Sequence, residues 1–434
     1  MSGPRIKAPR GTFDVLGEQA EARSALEDRA RAILQAAGYE RIETPAFEAT
    51  ELFARGVGEA TDIVRKEMFT FEDAGGRSLT LRPEGTAPVC RAYLEHGMHK
   101  RRQPVKLWYL SSFFRHERAQ AGRYRQFWQV GAEAIGSDDP AVDAEAIVLL
   151  SSLLAEVGVR DVRLRLSSLG SPQTRGEYRE RLQAHLRSHE SSLAPEVRSR
   201  IEANPLRAFD SEHEGTRRVM QGAPRLLEHL DAGDREHFDA VRELLDDASV
   251  AYEIDSTLVR GLDYYTRTVF EFTSDALGAQ SGVGGGGRYD GLIELLGGPP
   301  TPGIGWAAGI ERMLLASGSS GDASGSQRSR EAGAPSPAAP VELFLARAEP
   351  RSPADRRAAF ALLCTARSAG LRAQMELGGR SLKGQLSHAD ALGARYVAIV
   401  SERQASLRDM QEGRQEEMAA DAVVHAVLRG LRTL

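Results

Sequence analysis

The sequence predicts an α+β protein built around an antiparallel β-hairpin, with a helical insertion and a separate α/β unit at its C-terminus. Three observations carry that expectation. Two strand-like runs flank a polar turn between residues 107 and 136, LWYLSSFFRHERAQAGRYRQFWQVGAEAIG, the pattern of a hairpin. Charged, helical composition takes over at Ser168 and holds to about Ser249, before strand character returns at Thr257. A Ser/Ala/Pro-rich stretch at 317–340 then precedes alternating strand-like and helical runs, as in an α/β unit.

Chain-wide properties bound the function. A length of 434 residues suits two to three domains. The formal charge of −5 excludes a protein that coats nucleic acid indiscriminately, while leaving room for a local basic patch. Only two cysteines are present, Cys90 and Cys364; they make neither a zinc cluster nor a disulfide framework and fit a reducing compartment. No HExxH pattern occurs, so no structural metal is expected. The N-terminus lacks the apolar core of a secretory signal, and no run is long enough to span a bilayer. A cytoplasmic protein without membrane contact is the expectation.

Taken in order, residues 18–37 place Leu26, Ala30, Ile33, Leu34 and Ala37 at helical spacing, and Gly38 supplies a stop. A strand at 40–44 is ended by Pro45. Residues 78–93, SLTLRPEGTAPVCRAY, read as a short strand running into a turn and a helix. Glu84, Gly85 and Thr86 sit at that turn, where the polar pair either binds a ligand ammonium or caps the helix.

In the hairpin, side chains alternate between faces. Arg125, Phe127, Gln129, Gly131 and Glu133 share one face of the second strand; Trp128, Val130, Ala132 and Ala134 share the other, a core face. The incoming strand puts Phe113, Arg115 and Glu117 together. An aromatic, an amide and a carboxylate in a row, with arginines at the tip, make a plausible floor for a small charged ligand. The plainer alternative is a sheet with one solvated face.

A helix at 143–157 and a strand at 162–167 follow, then the insertion, in which Phe238, Val241, Leu244, Leu245 and Ala248 form an apolar stripe. Beyond it, Arg260, Tyr264 and Tyr265 precede a β-rich run. A tyrosine hydroxyl can bond a ring nitrogen and an arginine can neutralise a phosphate; two core tyrosines and a surface arginine are the alternative. Gly282, Gly284 and Gly287 match GxGxxG, but the surroundings read antiparallel rather than βαβ. The run reads better as backbone that approaches a ligand closely, or as a flexible loop. Residues 303–315 read as a short strand into a helix that carries Arg312 in its first turns, where backbone N–H groups favour anions.

The stretch at 317–340 reads as a tether. Strands at 341–346, 371–376 and 396–400 alternate with helices through Ala359, Leu362, Leu363 and Ala366 and near 382–392, and a last helix covers about 420–431. The resulting division is 1–168 and 251–316 for the core, 169–250 for the insertion, 317–340 for the linker and 341–434 for the C-terminal domain.

Together these segments resemble the class II aminoacyl-tRNA synthetases, and within them the histidyl-tRNA synthetase family. GYERIETPAFE resembles class motif 1, FRHERAQAGRYRQFWQ motif 2 and GIGWAAGIERM motif 3; LVRGLDYYTRTVFEF and GGGGRYDGL are similar to the two signatures of the histidine branch. The resemblance implies an antiparallel sheet flanked by helices, a homodimer formed through motif 1, a helical insertion and a C-terminal α/β anticodon-binding domain. The implied reaction joins L-histidine and ATP into histidyl-adenylate and passes the histidyl group to tRNA(His). Magnesium is expected with ATP, held mostly by phosphates and water.

By the same resemblance, Arg115 and Arg260 act on the α-phosphate. Phe127 lies against adenine, Arg312 covers its other side, and Glu117 accepts from the exocyclic amine. Glu84, Thr86 and Gln129 take the ammonium group, Glu133 and Tyr264 each take one imidazole nitrogen, and Gly85 and Tyr265 complete the histidine subsite. Ala119 and Ala121 stand where a proline and a basic residue are frequent, the tether is longer than usual, and 400–407 reads as shortened. The rival reading is a non-catalytic paralogue, a regulatory subunit of ATP phosphoribosyltransferase. It usually lacks the C-terminal domain and has a degraded LVRGLDYY-like segment.

Overall fold

The computed structural model describes residues 6–58, 61, 63–117, 122–203, 205–258, 262–278, 281–318 and 341–432. Arg260, Ala119, Ala121 and 319–340 of the tether lie outside them.

Helix α1 (Glu18–Ala36) buries Leu26, Ala30 and Leu34. The expected strand at 40–44 shortens to β1 (Glu40–Arg41), parallel to the first hairpin strand. Pro45 has no N–H for a ladder, and the chain crosses into a second sheet. That sheet is β2 (Phe47–Ala49), β3 (Phe69–Glu72) and β4 (Ser78–Leu81) in the order β2-β4-β3, with α2 (Thr50–Val57) between the first two. After α3 (Thr86–Glu95) comes the hairpin, β5 (Val105–Phe114) and β6 (Gln126–Ile135), paired from Val105 opposite Ile135 to Phe114 opposite Gln126.

Helix α4 (Pro140–Val157) starts earlier than expected because Asp139 caps it, accepting from the Ala141 N–H, and Pro140 enters at the first turn. Strand β7 (Val162–Ser168) leads into the insertion, where α5 (Pro172–Ser188), α6 (Pro195–Arg198), α7 (Glu214–Gln221) and α8 (Ala232–Asp247) follow one another. The chain returns through β8 (Glu253–Ile254), β9 (Thr266–Ser274), β10 (Gly282–Arg288), α9 (Leu292–Leu295), β11 (Gly303–Gly309) and α10 (Ile310–Ser317). Eight strands thus join in one sheet, β1-β5-β6-β11-β10-β9-β7-β8.

Both faces of that sheet are covered. Val130, Ala132 and Ala134 of β6 pack with Leu34, Ile147, Leu150, Val241 and Met313 under the helices. On the other face Tyr109, Phe113, Tyr264 and Tyr289 join Tyr178, Leu182 and Leu186 of the insertion. The alternation read along the hairpin therefore separates two buried surfaces, and no solvated face exists at Glu133, which has 0% exposure.

The glycine run is neither a loop nor a crossover: it is β10, between β9 and β11. A Cβ at Gly286 would lie 1.9 Å from the Gly305 carbonyl oxygen and 2.7 Å from the Trp306 Cα. The close approach of backbone foreseen at this run is thus made, at Gly286, by the neighbouring strand.

In the C-terminal unit, β12 (Leu343–Arg347), α11 (Pro353–Ser368), β13 (Ala373–Met375), α12 (Leu382–Ala391) and β14 (Tyr396–Val400) alternate as expected. Where the sequence reads as shortened, the chain forms a hairpin of β15 (Gln404–Asp409) and β16 (Gln415–Ala419) before α13 (Val423–Arg432). QEEMA escapes notice because an edge strand with charged side chains lacks the apolar alternation of an inner one. The sheet order is β13-β12-β14-β15-β16, and Leu343, Phe360 and Leu363 share an apolar cluster with α4 and α8.

Two glycines test this packing. Gly286→Ala forces backbone apart and should cost about 3 kcal/mol or more; Gly291→Ala, with φ −91° and nothing within 4 Å of its Cβ, should cost less than about 1 kcal/mol. Urea midpoints that match for the two variants would refute the packing argument.

Candidate active site

Strand β6 organises the site because it is buried from Val130 to Ile135, half-buried from Gln126 to Gln129, and carries polar groups on one face. Phe127, Gln129 and Glu133 follow along that face, with Glu133 about 13 Å beyond Gln129 at the usual strand rise. Around the outer end is a cavity of about 320 Å³. Arg115, Glu117, Phe127 and Arg312, four residues expected at a nucleotide, all line it, together with Gln129, which was expected at the amino acid's ammonium group.

Arg115 leaves β5 just past its end, where its backbone N–H bonds the Arg125 carbonyl (2.9 Å) and its side chain is anchored by Nε donating to the Pro83 carbonyl (2.9 Å). Its guanidinium carbon lies 5.3 Å from the centroid of the Phe127 ring, and Phe113 packs against that ring at 6.2 Å. Glu117 sits among cations, 3.3 Å from Arg123 and 3.9 Å from Arg115. Arg312, in the first turn of α10, faces Arg123 across the cavity; burial and that neighbouring charge both push its proton affinity down. An anion entering here relieves the repulsion among these arginines.

Glu311, beside Arg312, turns its carboxylate to the Trp128 N–H, 3.1 Å from each oxygen. It takes up the backbone donor next to Gln129, where the β6–β11 ladder ends, and so ties the Phe127 strand to the Arg312 helix. Gly282 and Gly284 also line the cavity, so here the glycine run does bring backbone to the space a ligand would take.

The inner part is a closed polar cluster. Glu84 accepts from the Thr86 N–H (2.7 Å) and the Ala87 N–H (3.0 Å) at the start of α3, and from the Tyr264 hydroxyl (3.2 Å). The two readings of Glu84 are thus compatible: it caps the helix and faces the tyrosine. Thr86 donates its hydroxyl proton to Glu133 Oε1 (2.8 Å), which leaves the hydroxyl oxygen's lone pairs for a ligand donor. Tyr289 donates to Glu133 Oε2 (2.7 Å). Tyr265 packs its ring 5.0 Å from that of Tyr264.

Three glycines make room for these groups. A Cβ at Gly85 or Gly131 would strike the hydroxyl end of Tyr109 at 2.4 to 2.5 Å, and one at Gly305 would lie 1.7 Å from Glu133 Oε2. Alternation already put Glu133 on the site face. It also puts Tyr109 on the face of Phe113 and Arg115, a signal that could have been used. Tyr289 had no such signal, because its partner lies 156 positions away in sequence.

Burial pushes the Glu133 carboxyl up to about 8; the Tyr289 and Thr86 hydrogen bonds pull it down and the Glu84 charge pushes it up. Glu84 is raised as well, chiefly by burial. Among the described residues no group of three His, Cys, Asp or Glu side chains could hold a metal ion, and no helix is long and apolar enough to cross a membrane.

Comparison with known proteins gives a consistent result. The profile described as Histidyl-tRNA synthetase matches residues 11–313, and that described as Anticodon binding domain matches 358–429. The histidine-tRNA ligase of Desulforamulus reducens is 45% identical over 421 residues, covering 96% of this chain and 97% of that protein. The crystal structure of apo histidyl-tRNA synthetase from S. aureus superposes with a TM-score of 0.60 at 35% identity, over 98% of this chain and 100% of that one. An ATP phosphoribosyltransferase regulatory subunit/histidyl-tRNA synthetase from Bacillus halodurans shares the fold at 22% identity and TM-score 0.55, over 89% of this chain and 97% of that one.

Glu133 yields a pH prediction. Its folded-state value lies above the ordinary 4.5, so the stability it contributes is full below pH 4.5 and is lost as pH rises through about 8. Relative to Glu133→Gln, the ligand-free wild type should lose about 1 kcal/mol per pH unit between pH 5.5 and 7.5. A constant difference in urea midpoints over that range would show that the carboxyl is not held neutral.

Proposed function

The chain belongs to the histidyl-tRNA synthetase family, and on that premise we propose that it is a histidine-tRNA ligase that activates L-histidine with ATP and charges tRNA(His). The observation that carries this reading is the sharing of one strand face by the nucleotide-sized cavity and the buried Glu84–Thr86–Glu133–Tyr264 cluster. An amino acid seated on the cluster presents its carboxylate towards the cavity.

In this reading the carboxylate of histidine attacks the α-phosphorus of ATP, the bond to the β-phosphate oxygen breaks, and pyrophosphate leaves. Magnesium enters with the triphosphate as part of the substrate. Arg115, with Arg260, neutralises the α-phosphate, and Arg312 faces the rest of the nucleotide. Phe127 offers adenine a ring face and Glu117 accepts from its amino group. The terminal adenosine of the tRNA then takes the histidyl group and releases AMP. Nothing here requires a protein nucleophile, so positioning and charge neutralisation supply the rate.

Glu84, Thr86 and Gln129 meet the ammonium. Glu133 and Tyr264 meet the two imidazole nitrogens, with Gly85 leaving space for Tyr109 and Tyr265 backing Tyr264. Any other side chain leaves buried polar groups unpaired, at about 1 to 3 kcal/mol each. The match of 358–429 to an anticodon-binding domain supports tRNA as the second substrate, and these substrates put the protein in the cytoplasm. That match also weighs against the regulatory paralogue, which usually lacks this domain.

Two measurements test the proposal. ATP–pyrophosphate exchange across the amino acids should occur with histidine only; exchange with none would favour the regulatory paralogue. For the dimer, Phe47 and Phe71 are 49% and 43% exposed with rings 6.1 Å apart on the three-stranded sheet, and Phe47 belongs to the motif 1-like segment. The wild type should sediment as a dimer and the Phe47→Ser, Phe71→Ser double variant should shift towards monomer. A monomeric wild type would remove the dimer from the proposal.

A further inference from the structure

Helix α4 carries three carboxylates that hold basic groups on separate parts of the molecule. Asp139, its cap, holds Arg347 of β12 at 3.0 Å and Arg356 of α11 at 3.4 Å. Asp143, about one turn further, holds Arg288 at the end of β10 and His237 of α8 at 2.8 Å. Glu145 holds Lys106 of β5 at 2.7 Å and Arg367 of α11 at 2.9 Å. The Asp143, Glu145 and Arg288 side chains have no exposed surface, and that of Arg347 has 1%.

Both internal partners lead to Glu133. Arg288 precedes Tyr289, whose hydroxyl donates to Glu133. Lys106 precedes Leu107, which is paired with Glu133 across the β5–β6 ladder. Buried charges of this kind cannot be uncovered singly without large cost. A shift of α4 therefore carries β10 and β5 with it.

We propose that Arg347, Arg356 and Arg367 of the C-terminal domain are positioning residues for the amino-acid subsite, acting through α4 on Tyr289 and Glu133. The inference rests on the reading of the Glu84–Glu133 cluster as the histidine subsite. The C-terminal domain then has a part in the first half-reaction, before any tRNA is bound. The coupling runs through a physical chain of buried contacts.

The test uses the full chain in ATP–pyrophosphate exchange without tRNA. Arg367→Met should raise the KM for histidine about fivefold or more and leave the KM for ATP within about twofold of wild type. Combined with Tyr289→Phe, it should raise the histidine KM by less than the product of the two single effects. Arg357→Met, which breaks a more exposed interdomain pair with Asp247 on α8, should change neither constant. Should Arg367→Met not fold, Arg356→Met removes only the partly exposed arm on Asp139 and should raise the histidine KM at least about twofold.

An unchanged histidine KM in folded Arg367→Met or Arg356→Met overturns the inference, as do equal rises in both constants or multiplicative effects with Tyr289→Phe. Those outcomes leave histidine exchange by the wild type intact. Loss of wild-type exchange would overturn the subsite reading and this inference together.

Discussion

The structure depends on a carboxyl group kept out of water. Glu133 lies in the middle of an eight-stranded sheet with neither oxygen exposed, and burial alone would make its charge prohibitive. What surrounds it meets that constraint. Gly305 vacates the space its carboxylate fills, Thr86 and Tyr289 each donate one hydrogen bond, and Glu84 receives its own donors from the start of α3. The two carboxyls thus draw their donors from the protein itself.

The same logic, with opposite sign, shapes the outer cavity. Arg115, Arg123 and Arg312 converge with Glu117 on a space bounded by Phe127. There positive charge and an aromatic ring are gathered around one space. One strand, β6, joins the buried carboxyl cluster to the cavity lined by arginines, and the proposed function rests on that juxtaposition. Behind the sheet, α4 repeats the buried-charge motif three times. Against the upward push of burial, Arg288 and His237 hold the Asp143 carboxyl below its usual range, so the charges there are structural.

Much of this was legible in the chain itself. Alternation along 125–134 separated the core face from the site face, because a strand leaves each side chain only two directions. The start of α4 reads three residues late in the sequence, at 143, with the cap Asp139 and Pro140 left out of it. The motif-like segments identified the family, and the comparisons bear that out. Less legible were the short strands: β1 reads longer than it is, and β15 and β16 were missed; β16 is exposed and so lacks the apolar period on which such readings depend, while β15 buries Ala405, Ser406 and Leu407 in succession without alternating.

What the sequence determined by itself was local: which residues share a face, where most helices lie, and which segments carry the family's motifs. What only the tertiary structure decided was who meets whom. Glu133 and Tyr289 are far apart in the chain, as are Glu145 and Arg367, and the glycines of β10 and β11 make sense only once the neighbouring strand is in place. The physical reason is that backbone preference acts over a few residues, whereas burial of charge and exclusion of a Cβ are properties of a packed interior, set by strands and helices that sequence order does not bring together.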